Sequence, residues 1–162
     1  LLTGDIGHLD DAGFLKITDR KKDLIKTSGG KYVAPQELEG KLKTRSTLIS
    51  QVIVHGNNRN FCTALVSIAP ETVGPYCRGN GLEVMEYAAF LAHPAVKAEL
   101  DKVFAEYNKE LPSYSTIKKY AILPTDLSQD DGDLTPSLKV KRKSVEAKYK
   151  ALLDGFYAGQ LA

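Results

Sequence analysis

Two short apolar runs most constrain the fold. One is Val52-Ile53-Val54; the other is residues 61–68, Phe-Cys-Thr-Ala-Leu-Val-Ser-Ile. The polar turn His55-Gly56-Asn57-Asn58-Arg59-Asn60 separates them. β-Branched and apolar residues bounded by Gly and Asn predict two buried strands. Tyr120-Ala121-Ile122-Leu123 predicts a third. Helical spacing marks a different kind of element after His93-Pro94, where Val96, Leu100, Val103, Phe104, Tyr107 and Leu111 recur on one face until Pro112.

Other elements follow from local chemistry. Ile6 and Leu9 precede the turn cluster Asp10-Asp11-Ala12-Gly13, and Phe14, Leu15 and Ile17 follow it, so residues 6–18 read as a hairpin. Pro35 suits a first helical turn, Glu37 complements its positive end, and Leu38 and Leu42 share a face of a helix ending near Thr44. Residues 70–81 hold two prolines and three glycines and read as a loop. Residues 83–91 read as a short helix and residues 125–133 as an acidic loop. A last helix sets Val145, Tyr149, Leu152, Leu153 and Phe156 on one side. Strands and helices mix without βαβ alternation. The expected class is therefore α+β: a small mixed domain with a short N-terminal hairpin and a three-stranded sheet packed by helices. The charged link Asp19-Arg20-Lys21-Lys22-Asp23 is a seam, with residues 1–20 belonging to a different unit from 21–162.

Composition excludes several classes. A chain of 162 residues buries enough surface to fold without disulfide or metal staples. The 22 basic and 20 acidic residues are too balanced to argue for a nucleic-acid partner. Cys62 and Cys77 are too few for a disulfide framework, and Cys62 reads as a buried thiol suited to a reducing, cytoplasmic compartment. No apolar stretch approaches the ~20 residues that span a bilayer. His8, His55 and His93 are scattered, without ligand spacing, and read as surface or loop residues; no metal site is expected. Leu1 in place of Met, and the abrupt opening, read as a piece of a longer chain.

Two basic clusters remain: Arg20, Lys21, Lys22, Lys26 and Lys31, and then Lys139, Lys141, Arg142 and Lys143. Charge alone makes each a solvated face. Ser28-Gly29-Gly30-Lys31 resembles part of a phosphate loop but lacks its first glycine, and Tyr32 replaces the Ser or Thr after the lysine. Few aromatics interleave the clusters, which argues against a nucleic-acid surface. The glycines beside Lys26 and Lys31 favour an anionic small ligand, since glycine lets backbone approach closely.

The order of these segments carries more than any one of them. Thr3-Gly4-Asp5 is followed by residues 19–26 (Asp-Arg-Lys-Lys-Asp-Leu-Ile-Lys), Ser28-Gly29-Gly30 and Pro35-Gln36-Glu37-Leu38-Glu39, and much later by residues 134–142 (Leu-Thr-Pro-Ser-Leu-Lys-Val-Lys-Arg). Together they resemble the C-terminal part of the adenylate-forming acyl-CoA synthetase superfamily, and within it the AMP-forming long-chain fatty-acid–CoA ligases. The resemblance implies an enzyme that uses ATP with Mg2+ to convert a fatty acid to acyl-AMP, then passes the acyl group to coenzyme A. It implies a small C-terminal domain that turns against a missing N-terminal domain, presenting one face to each half-reaction.

By motif position, Asp5 resembles the carboxylate that grips the ribose hydroxyls, and Arg20 a second nucleotide contact. Lys22 stands at the hinge. Lys139 resembles the catalytic lysine of adenylation, with Lys141 in reserve. The family often writes Asn-Gly before that lysine; Ser137-Leu138 stands here. Lys141, Arg142 and Lys143 are expected on the following helix, facing solvent. Lys26 is expected to face the active site during thioester formation, in the loop with Ser28, Gly29, Gly30 and Lys31. Gly29 would line the thiol channel, and Lys31 would meet a coenzyme A phosphate. Alternatives are an acyl-AMP ligase loading a carrier protein and a non-catalytic binding module. Peripheral membrane association stays open.

Overall fold

The structure, a computed structural model, describes residues 3–159. The opening at Leu1 and Leu2, and residues 160–162 of the second expected unit, lie outside them. Strands β1 (Asp5–Leu9) and β2 (Leu15–Arg20) pair antiparallel as the expected hairpin. A single 3-10 turn, Lys21–Asp23, leads into a two-residue pair, β3 (Ile25–Lys26) with β4 (Tyr32–Val33). Helix α1 (Pro35–Lys43) follows, with Leu38 and Leu42 buried.

The central sheet has the order β5-β6-β7, from Gln51–His55, Cys62–Ser67 and Ile117–Ile122. β5 and β6 pair antiparallel, whereas β6 and β7 pair parallel. A parallel pair needs a long crossover. Helices α2 (Val73–Gly79), α3 (Tyr87–Leu91) and α4 (Pro94–Asn108) form it. The final helices are α5 (Arg142–Lys148) and α6 (Lys150–Gly155). Every residue of β6 is buried, because helices cover both sheet faces. Val52, Val54, Ala64 and Val66 meet Leu42, Leu100 and Phe104 on one side. Ile53 and Leu65 meet Leu123, Val145 and Leu153 on the other. A fully buried Leu such as Leu65 contributes roughly 1.5–3 kcal/mol. The mixed α+β class and the three-stranded sheet are as the sequence predicts.

Several boundaries differ. Residues 70–81, expected as a loop, contain α2. Pro75 stands third in that helix, where its missing N–H would have had no intrahelical partner. Gly81, at φ +66°, closes it, and Leu82 N–H returns to Cys77 O. In 83–91 only Tyr87–Leu91 is helical, with Tyr87 Oη donating to Ile68 O. Helix α4 stops at Asn108, short of Leu111, because the Asn108 amide pairs with both Ile117 N–H and C=O. The expected last helix is two helices broken at Tyr149, with Leu152 exposed. Lys148 on the first half reaches Asp133, and Asp154 on the second reaches Arg59, so the halves are tied to different segments. Among the described residues, no helix is long and apolar enough to cross a membrane.

Candidate active site

Three loops in this chain share one hydrogen-bond pattern. In residues 10–14, 27–31 and 135–139 the first residue's N–H donates to the fifth residue's C=O, and the fourth N–H returns to the first C=O. The first side chain, from Asp10, Thr27 or Thr135, accepts the fifth residue's N–H at 2.9, 3.2 and 3.0 Å respectively. The fourth residue adopts positive φ each time: +83° at Gly13, +77° at Gly30 and +59° at Leu138. This is the three-residue hairpin connection in which a type I turn ends on a left-handed residue. Glycine takes that conformation freely. Leucine does not, so Leu138 is a strained exception at the tip that presents Lys139.

Two of these loops carry the residues singled out for chemistry. Thr27 and Lys31 close a loop around Ser28, Gly29 and Gly30, all three exposed. The loop is docked on the β5–β6 turn: Lys26 N–H meets Asn57 Oδ1, Asn58 N–H meets Lys26 O, and Ser28 N–H meets Arg59 O. Lys26 Nζ lies 5.8 Å from the Tyr32 ring centroid and Lys31 Nζ lies 6.0 Å from that of Tyr114. Gly30 owes its identity to φ. Gly29 does not: its φ is outside the left-handed region, and a Cβ there would meet only Thr27 Oγ1, at 4.0 Å. Among the described residues, no contact or backbone torsion demands glycine at 29, and the same is true of Gly40, Gly79 and Gly155.

Lys139 sits at the end of the other loop, exposed. Among the described residues its ammonium has no hydrogen-bond or ion-pair partner. Below the loop, Leu134 bridges Val140 and Lys141 N–H donates to Asp133 O. The buried Asp133 carboxylate is met by Lys148 Nζ at 3.0 Å, and that hydrogen bond raises the Lys148 pKa above the usual lysine value.

A third group lies at the seam. Asp5 and Arg20 face each other across β1 and β2, with Arg20 Nε 3.5 Å from Asp5 Oδ1 and both side chains substantially exposed. Thr3, Gly4, Arg20, Lys21 and Lys22 line an open cleft of about 390 Å³. Lys21 N–H donates to Gly4 O at 2.8 Å, tying the turn that contains Lys22 to the start of β1. The structure thus brings together Asp5, Arg20 and Lys22, and separately Lys26 and residues 28–31. Lys139 stands on a third element.

Two expectations fail. Arg142, expected to face solvent, is turned inward with its side chain 21% exposed. Its Nη2 donates to Glu39 Oε1 at 2.6 Å and its Nη1 to Val54 O at 2.8 Å. Glu39 Oε1 also accepts Val54 N–H at 2.8 Å. Arg142 and Glu39 therefore occupy the outer edge of β5 as a missing strand would. Burial raises the Glu39 pKa, against the opposing pull of Arg142. The sequence carried a signal for this: Arg142 shares a helical face with Val145 and Tyr149. His55, expected at the surface, is largely covered, with Nδ1 2.8 Å from Glu146 Oε1. Asp19 also went unnoticed in sequence. Its buried carboxylate accepts Gln36 N–H at 3.0 Å and so caps α1 from the hairpin strand. Residues far apart in sequence meet here, and no local pattern reveals that. Cys62 is buried as expected, and burial pushes its thiol up to about 11.

Comparison with known proteins bears on these positions. The profile of the AMP-binding enzyme C-terminal domain family matches residues 22–161, beginning at the seam. A long-chain-fatty-acid–CoA ligase of Mycobacterium tuberculosis, FadD15, is 40% identical over 156 residues, covering 96% of this chain and 26% of the relative. The rat long-chain-fatty-acid–CoA ligase ACSBG1 is 34% identical over 180 residues, covering 99% and 24%. Among solved structures, the adenylation domain of a Segniliparus rugosus carboxylic acid reductase, in complex with AMP and a co-purified carboxylic acid, is similar. It matches at a TM-score of 0.70 and 28% identity, covering 98% of this chain and 23% of that one. The chain spans about a quarter of the length of these relatives.

Proposed function

The chain belongs to the AMP-binding enzyme C-terminal domain family, and from that premise we propose that it is the mobile C-terminal part of an AMP-forming long-chain fatty-acid–CoA ligase. The whole enzyme activates a fatty acid with ATP, as its magnesium complex, to acyl-AMP and pyrophosphate, then transfers the acyl group to the thiol of coenzyme A. Residues 1–20 are the tail of the preceding N-terminal domain. Leu9, Phe14, Leu15 and Ile17 on the hairpin are each more than half exposed, which supports that assignment. A cytoplasmic setting, with or without peripheral membrane attachment, goes with this reading.

Within the enzyme, Asp5 and Arg20 hold the ribose. An exposed carboxylate can accept both hydroxyls of a cis-diol. Lys22 absorbs the torsion change of domain rotation and needs no chemical role. Lys139 brings a positive charge to the oxygens that gain negative charge as the carboxylate attacks the α-phosphate. In the second half-reaction the Lys26–Lys31 loop replaces it, with Gly29 leaving room for the thiol and Lys31 near a phosphate of coenzyme A. What supports the reading most is the family match over residues 22–161; Gly29, exposed and with only Thr27 Oγ1 within 4.0 Å of a Cβ, leaves room for a ligand from outside the chain, as Gly40, Gly79 and Gly155 also do.

The test uses the full-length enzyme and separates the half-reactions. Lys139→Ala should cost adenylation about 3 kcal/mol, the magnitude of losing one charge-stabilising donor. Thioester formation from preformed acyl-AMP should be spared. Gly29→Leu should do the reverse. Equal damage to both half-reactions by both variants overturns the assignment. The acyl-AMP ligase that loads a carrier protein is a second reading, which the likeness to the A-PCP didomain of a Segniliparus rugosus carboxylic acid reductase keeps in view. The higher identity to coenzyme A ligases favours the first.

A further inference from the structure

We propose that Arg142 is a positioning residue for Lys139: through Glu39 and Val54 it clamps the base of the lysine loop to the edge of the central sheet, so that domain rotation delivers Lys139 at a fixed place. The proposal rests on the assignment of Lys139 to adenylation.

Three observations carry it. Lys139 has no side-chain partner of its own among the described residues, so the backbone beneath it must set its location. That backbone is a narrow hairpin whose tip contains a leucine at φ +59°. It is held at one end by Asp133, with Lys148, and at the other by Arg142. Second, the Arg142 clamp is two-pronged. One prong takes Glu39 on α1 and the other the free carbonyl of Val54 on β5, while Glu39 takes the free N–H of the same residue. A guanidinium fixed at two points restrains direction as well as distance, which a lysine cannot match.

Third, helix stability does not explain the arginine. Arg142 is the first residue of α5, and a cation at a helix N-terminus opposes the helix dipole. Burying an ion pair, here with side chains only 21% and 14% exposed, is often no more stabilising than apolar residues of similar volume, so its stabilising share here lies in the two Val54 hydrogen bonds. What the pair does supply is a rigid connection. Helix α1 carries Glu39 and is itself packed into the core through Leu38 and Leu42. A continuous set of bonded groups therefore runs from α1 to Arg142 and to the Lys139 loop. Misplacing a catalytic group by about 1 Å can cost on the order of 100-fold, so a second anchor has a clear use.

The experiment uses full-length enzyme and three readouts: pyrophosphate release, thioester formation from preformed acyl-AMP, and melting temperature. Glu39→Leu with Arg142→Met replaces the pair by apolar groups but leaves the buried N–H and C=O of Val54 without partners, so its melting temperature should fall and activities are compared below its transition. In that double variant, adenylation kcat should fall about 10- to 100-fold while KM for ATP and thioester formation stay within about threefold. Arg142→Lys keeps the charge opposite Glu39 but loses a prong, and serves should the double variant not fold. It should lower adenylation kcat by about fivefold with a melting temperature close to wild type. Wild-type adenylation in either folded variant overturns the proposal, as does equal loss of both half-reactions. Lys139→Ala, run alongside, isolates the premise: if it adenylates normally, the assignment of Lys139 has failed, whatever Arg142 does.

Discussion

At Leu138 the usual ranking of alanine over glycine should invert. The residue is 60% exposed and sits at φ +59°, the left-handed position that Gly13 and Gly30 fill in the two equivalent loops. Left-handed backbone costs a residue with a Cβ roughly 1–2 kcal/mol. Glycine escapes that cost but loses about 0.4–1 kcal/mol through the greater freedom of its unfolded chain. Leu138→Gly and Leu138→Ala both remove the leucine side chain, so comparing the two cancels its packing. The balance leaves the glycine variant about 0.8 kcal/mol more stable than the alanine variant. Lys102, exposed in the middle of α4, is the control. There Lys102→Gly should be about 1 kcal/mol less stable than Lys102→Ala. Urea unfolding of the four variants, at constant slope, measures both differences. The four backbone and side-chain bonds of the loop do not involve the leucine side chain, so Leu138→Gly should leave adenylation by the full-length enzyme near wild type. An alanine variant as stable as the glycine variant at 138 would refute the turn assignment, and with it the idea that Lys139 is held on a strained tip.

Lys148→Met strips the buried Asp133 carboxylate of its counter-charge; because Lys148 is itself partly exposed, the destabilisation should be about 2 kcal/mol, below that of a sealed pair. A loss under about 0.5 kcal/mol by urea unfolding speaks against the anchor. Glu39 gives a pH signature. Its folded pKa is raised above the unfolded value, so the native state holds that proton more tightly. Its contribution is fully present below the unfolded pKa and is lost as pH rises through the folded one. The stability of wild type relative to Glu39→Gln should therefore decline from pH 4 towards neutrality, and a flat or rising difference contradicts the burial argument. The Cys62 thiol, pushed up to about 11, should resist a thiol-disulfide reagent at pH 8 and react only on unfolding; rapid labelling of the native protein would show the core of β6 to be open.

Much of the architecture was legible because it rests on local rules. Runs of β-branched residues marked β5 and β6, helical spacing marked α4, and Pro35 marked the start of α1. Proline and glycine misled where their positions were special. Residues 70–81 looked like a loop, yet Pro75 falls where a helix needs no N–H and Gly81 where a helix ends. The motif residues Asp5, Arg20, Lys26, Gly29 and Lys139 were picked out by their order along the chain. Their supports were not. Asp19 with Gln36, Glu39 with Arg142 and Asp133 with Lys148 join residues 15 to 103 positions apart.

The sequence by itself determined that this chain folds as a mixed helix-and-strand domain of an adenylate-forming family, since periodicity, turn chemistry and motif order are written along one dimension. Tertiary structure alone decided which charges are surface and which are fasteners. Arg142 and Lys143 are neighbours with equal charge, yet one closes the edge of a sheet and the other stays exposed. The physical reason is that an ionised side chain goes inside only where partners converge to replace water. Here those partners, Glu39 and the free peptide of Val54, come from α1 and β5 and meet Arg142 only once the sheet has formed.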